Sequence, residues 1–119
     1  MVGYALDALR EAYFGEQADR LILIDYESLV RRPKETVTEI YKFIGEPLYD
    51  HDYENVSYSA SEFDQLLGTP NLHTVSQKVQ FTPRKSVLPP DLFRRFENDA
   101  FWMNPDANIH KVKQVIYKF

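Results

Sequence analysis

Asp25, Tyr26 and Glu27 stand directly after four aliphatic residues, Leu21 to Ile24, and put two carboxylates and a phenol at one point of the chain. A tyrosine ring there can stack on a planar ligand or donate a hydrogen bond. Glu27 can accept from nearby backbone amides and orient a turn; equally, Asp25 and Glu27 can begin a solvated loop with Tyr26 packed beside it. A second cluster lies in "VQFTPRKSVLPPD", residues 79–91, where Arg84, Lys85 and Ser86 are consecutive. Arginine offers a planar fork for phosphate or sulfate, lysine a mobile point charge, and serine one more donor. Adjacent Arg and Lys are also common on ordinary surfaces. Of the histidines, His51, His73 and His110, none has another His or Cys at metal-ligand spacing, and no metal site is assigned. The "HDYE" run at 51–54 reads as an exposed acidic loop. His73, within "NLHTVSQK", is the histidine placed to contact a substrate or act as a base, with a structural role as the alternative.

Several chemistries are excluded. The chain has no cysteine, hence no thiol nucleophile or disulfide. No nucleophile elbow or dinucleotide fingerprint occurs, and four glycines in 119 residues leave no glycine-rich loop to cradle phosphates. The net charge of -4 argues against nucleic-acid binding. Charge is unevenly spread: residues 46–64 hold six acidic side chains and no Lys or Arg, whereas residues 78–95 hold five basic ones against Asp91. That local basic segment suits a specific anion better than a polyanion track. Asp7, Arg10, Glu11 and Glu16 interrupt any secretory apolar run, and no run reaches the roughly 18 residues of a membrane span. A cytoplasmic protein with no membrane or nucleic-acid partner is expected.

The elements that must position these residues follow from periodicity. Val2, Leu6, Leu9 and Tyr13 recur at helical spacing, which predicts a helix over 3–14 ending at Gly15. Residues 21–25 are too short for a helix and lack alternation, as a strand covered on both faces does. Pro33 suits a first helical turn; Val37, Ile40, Tyr41 and Ile44 make one stripe, and Gly45 and Pro47 stop it. Ser59 and Glu62 have capping-box spacing, predicting a short helix before Gly68. A short strand is expected near 78–81 and a short helix after Pro89 and Pro90. The tail 109–119 has mixed periodicity and takes no assignment. Helix, strand, helix is one slice of an α/β sheet. The single firm strand needs neighbours on both edges, from the unassigned segments or from sequence outside these residues.

"LILIDYESLVRRPKETVTEIYKFIGEP", residues 21–47, resembles the cytosolic-type sulfotransferases, in which a strand leads into Tyr-Glu-x-Leu, a Pro-led helix and Phe-(Leu/Ile)-Gly-x-Pro. The matching residues are Tyr26, Glu27, Leu29, Pro33, Ile40, Phe43, Ile44, Gly45 and Pro47. Residues 59–102 look like the continuation in bacterial members. The resemblance implies a mostly helical piece of a P-loop-type parallel α/β fold, with residues 1–119 forming a single partial domain from the C-terminal portion of the enzyme. It implies sulfuryl transfer from 3'-phosphoadenosine 5'-phosphosulfate to a hydroxyl or amine of a small-molecule or glycan acceptor. Tyr26 corresponds to the tyrosine near the adenine. Arg84 and Lys85 are the nearest counterpart of an Arg-Lys-Gly loop that grips the 3'-phosphate, with Ser86 in place of the glycine and no Gly-Asp-Trp after it. The family's Lys-Ser-Gly-Thr-type loop for the 5'-phosphosulfate, and its usual catalytic histidine, do not occur before Leu21. No catalytic residue is therefore assigned, and little transfer by this chain alone is expected. A non-catalytic binding or self-association module derived from the same fold is the other reading, with an exposed strand edge available to a second copy.

Overall fold

In the computed structural model, which describes residues 2–83 and 85–119, five α-helices and two short strands follow one another. They are α1 (Val2–Phe14), β1 (Ile22–Ile24), α2 (Tyr26–Arg31), α3 (Pro33–Ile44), α4 (Ser61–Leu66), α5 (Pro90–Phe96) and β2 (Lys113–Val115). β1 and β2 pair in a two-stranded parallel sheet, so the chain is α/β, with its regular structure mostly helical. Its contacts divide into two compact units: Met1–Leu23 with Thr82–Val115, and Ile24–Phe81 with Ile116–Phe119.

The first unit holds an apolar core. Tyr13, Ala18, Leu23, Val112 and Val115 are buried there. The Tyr13 ring meets Phe14 and Phe101 edge-on, at 5.1 and 5.2 Å between centroids, a favourable arrangement for aromatic quadrupoles. Its hydroxyl accepts from Gln114 Nε2 at 3.0 Å, so the buried phenol is satisfied. The same Gln114 amide donates to the Trp102 carbonyl. Asn108 clasps the turn before β2, donating to the Val112 carbonyl at 3.0 Å and accepting from its amide at 2.7 Å.

The second unit is held differently. Its fully buried side chains are Ser28, Thr36 and Asp64, all polar. α3 begins at Pro33, whose fixed φ suits the first turn and whose missing N–H costs nothing there. It ends at Gly45 with φ 75°, the left-handed cap that a Cβ disfavours. The Thr36 hydroxyl donates to the Ser28 carbonyl at 3.0 Å, tying α3 to α2. The Ser28 hydroxyl accepts from the Tyr117 amide at 2.7 Å, tying α2 to the last residues of the chain. Beyond α3, residues 53–58 run antiparallel to 75–79 through three bonds: Val75 N to Tyr58 O, Val56 N to Gln77 O, and Val79 N to Tyr53 O.

The helices over 3–14, from Pro33 to Gly45, and after Pro90 match the periodicity that predicted them. Other expectations are corrected. β1 spans three residues, of which Leu23 is buried and Ile22 and Ile24 are only partly covered, so it is not sealed on both faces. Its neighbour comes from the tail that periodicity left unassigned. Asp25, Tyr26 and Glu27 do not open a loop: Asp25 caps α2, accepting from the Ser28 amide at 3.3 Å. The Ser59–Glu62 capping box does not form, because α4 starts two residues later and its N-cap is Ala60. Residues 78–81 form no strand; Val79 joins residues 53–58 through a single bond.

Replacing Ser28 by alanine leaves the Tyr117 amide without its acceptor in a partly buried place. The Ser28→Ala variant should unfold in urea with a stability lower by about 1–3 kcal/mol. A loss below about 0.5 kcal/mol, the scatter of ordinary surface changes, would mean that this bond does not hold the unit together.

Candidate functional site

Tyr26 is the first residue of α2, at the carboxyl end of β1, where ligands gather in open α/β folds. Its side chain is not absorbed into packing: the residue remains 55% exposed. Phe81 lies behind it, 6.4 Å between ring centroids. The Arg31 guanidinium sits 4.1 Å from the Phe81 centroid and 5.4 Å from that of Phe119, and bonds Glu27 at 2.6 Å one helical turn away. Glu27 therefore steadies α2 through Arg31, and the role of accepting from backbone falls to Asp25. Among the described residues, Asp25 Oδ1 is the buried side-chain oxygen with no partner. An exposed phenol backed by a second ring, with an arginine stacked on that ring, makes a platform for a flat ligand.

His73 is organised by a residue nine positions earlier. Asp64, wholly buried, accepts from the His73 amide through Oδ2 at 3.0 Å and meets its ring Nδ1 through Oδ1 at 2.5 Å. The imidazole side chain is 45% exposed and lies 5.4 Å from the Phe63 ring. With Nδ1 turned to the carboxylate, Nε2 is the nitrogen left for an external group. This arrangement suits a proton acceptor or a substrate hydrogen bond. The chain doubles back here because Gly68 and Asn71 both take positive φ, 68° and 66°, after α4. Hydrogen bonds from the His73 amide and then its ring hold the Asp64 carboxyl below its ordinary pKa, against the opposing pull of burial.

Lys85 and Ser86 belong to the other unit, in an exposed segment without regular structure. The Ser86 hydroxyl oxygen accepts from the Leu88 amide at 3.2 Å, which leaves its proton free to donate. Arg84 lies outside the described residues. Within the second unit the expected site residues fall in separate places, Tyr26 against Phe81 and His73 against Asp64. Phe81, Arg31 and Asp64 were missed in the sequence. Phe81 sits in an irregular segment, and nothing in the spacing of Asp64 and His73 announces their contact. His51 keeps to its acidic loop, its Nε2 3.1 Å from the Tyr41 hydroxyl.

Because the folded pKa of Asp64 is depressed, its stabilising contribution is complete above the unfolded value of about 3.9 and is lost as pH falls through the folded value. Acid unfolding followed by circular dichroism should therefore show wild type losing stability below about pH 4 more steeply than Asp64→Asn. Parallel acid curves for the two proteins would remove Asp64 from that account.

The family model for the sulfotransferase domain matches residues 1–87, a span that takes in Tyr26, Asp64, His73, Lys85 and Ser86. No curated protein and no solved structure matches the chain significantly. The Tyr-Glu helix start, the Pro33-led helix and its Gly45 stop all lie inside the matched span, and on that match the chain belongs to the sulfotransferase domain family.

Proposed function

We propose that this chain serves sulfuryl transfer from 3'-phosphoadenosine 5'-phosphosulfate to a hydroxyl or amine of a small-molecule or glycan acceptor, with Tyr26 forming part of the adenine contact. The observation that carries this reading is the exposed Tyr26 ring, backed by Phe81, at the carboxyl end of β1. A flat base needs such a face, and one stacked base is worth about 1–3 kcal/mol. The donor, when bound, supplies the activated sulfuryl group. Lys85 and Ser86 are assigned separately, on residue type, as an ammonium and a hydroxyl suited to a phosphate. His73 is assigned to the acceptor, with Asp64 positioning its ring so that Nε2 can take a hydrogen bond or a proton from the attacking group.

These 119 residues hold four glycines and no phosphate-cradling loop, so the chain alone should transfer little. Its own affinity for the adenine nucleotide should be correspondingly weak. Adenosine 3',5'-bisphosphate is the probe. Titrated into the protein and followed by NMR, it should move the Tyr26 and Phe81 signals with a Kd on the order of 1 mM, and Tyr26→Ala should abolish those shifts. Shifts centred elsewhere, or an unchanged Kd in Tyr26→Ala, would refute the adenine assignment.

A second reading, self-association, is supported by β1, which has one strand neighbour among the described residues. An open edge favours pairing with another copy. Light scattering should then report a defined dimer at micromolar protein, where a monomer at all concentrations counts against it.

A further inference from the structure

The second unit contains a cavity of about 440 Å³, within the range of small-molecule sites. Leu29, Val30, Val37, Val56 and Val79 line it with apolar groups contributed by α2, α3 and the paired segments beyond them. Tyr49 and Tyr53 supply aromatic surface, held by His51, whose ring lies 5.0 Å from Tyr49 and 5.9 Å from Tyr53. The charged side chains of the lining are Asp50 and Asp52, with no Lys or Arg among them. Asp52 is held anionic: the Asn55 side chain and the amides of Glu54 and Asn55 keep its carboxyl below the ordinary range. Burial raises the Tyr53 hydroxyl above its ordinary value, with Tyr41 and Asp50 adding to the effect, so Tyr53 stays neutral. Lys34 lines a separate cavity of about 80 Å³ that shares Tyr49, Asp50, His51 and Tyr53.

An apolar chamber with two phenol rings and an anionic rim has a definite chemical preference. The rings attract a cation through their faces, the carboxylates attract it through charge, and the aliphatic floor takes a hydrocarbon body. We propose that this cavity binds a small organic ammonium with an apolar or aromatic tail, an arylalkylamine being the simplest form. The inference does not depend on nucleotide binding or on transfer, since none of the lining residues is assigned to either.

The test uses 2-phenylethylamine and its charge-reversed counterpart, 3-phenylpropionate, titrated into the full chain by NMR at pH 7. The amine should shift the Val56, Val79 and Tyr53 signals, and the carboxylate should bind at least about tenfold more weakly. Asp50→Asn should weaken the amine by about fivefold, the effect of one partly exposed charge, and leave the carboxylate no weaker. Val37→Phe should fill the chamber and abolish binding. If that variant fails to fold by circular dichroism, signal mapping on wild type decides the location. Equal binding of the two probes, no binding of the amine, or shifts away from Val56 and Val79 would each overturn the proposal. Adding adenosine 3',5'-bisphosphate should change none of these results, so a failure here is separable from a failure of the adenine assignment.

Discussion

Ser28 is the hinge pin of the second unit. Its hydroxyl accepts from the Tyr117 amide, and its carbonyl accepts from both the Arg32 amide and the Thr36 hydroxyl. One fully buried serine thus fixes α2, the start of α3 and the end of the chain against one another. A buried polar group left unpaired costs more than a made bond contributes, so these partners must meet together or not at all. That arrangement carries Tyr26 at the head of α2, Arg31 on the rings of Phe81 and Phe119, and Arg32 over Tyr117 at 4.4 Å.

The two units solve the problem of a small core in different ways. The first buries Tyr13, Leu23, Val112 and Val115, and relies on apolar area removed from water. The second buries Ser28, Thr36 and Asp64, and relies on satisfied hydrogen bonds. Hydrogen bonds are directional where apolar contact is not, so the second unit holds a specific orientation of His73 through Asp64. Positioning of that kind is what a binding or transfer site requires.

Legibility in the sequence followed the range of the interactions. α3 was plain because Pro33, the apolar stripe and Gly45 each act within one or two turns. α2 was hidden: six residues between an aliphatic run and a proline are too few to show a period, although Asp25 three residues before Ser28 carried the cap. The opposite error occurred at Ser59, where the capping spacing exists but the helix begins at Ser61. Tyr26 was legible as a candidate by type and place, and His73 as a candidate by type alone.

Short-range chemistry in the chain settled the family segment over residues 21–47, the helix it contains and its stop, because Pro and Gly constrain their own backbone. The partner of β1, the burial of Asp64 beneath His73, the ring behind Tyr26 and the tyrosine-walled cavity were settled by folding. Each joins residues from nine to about ninety positions apart. No local preference encodes such a meeting; it arises when turns such as Gly68 and Asn71 bring the segments back and buried polar groups find their partners.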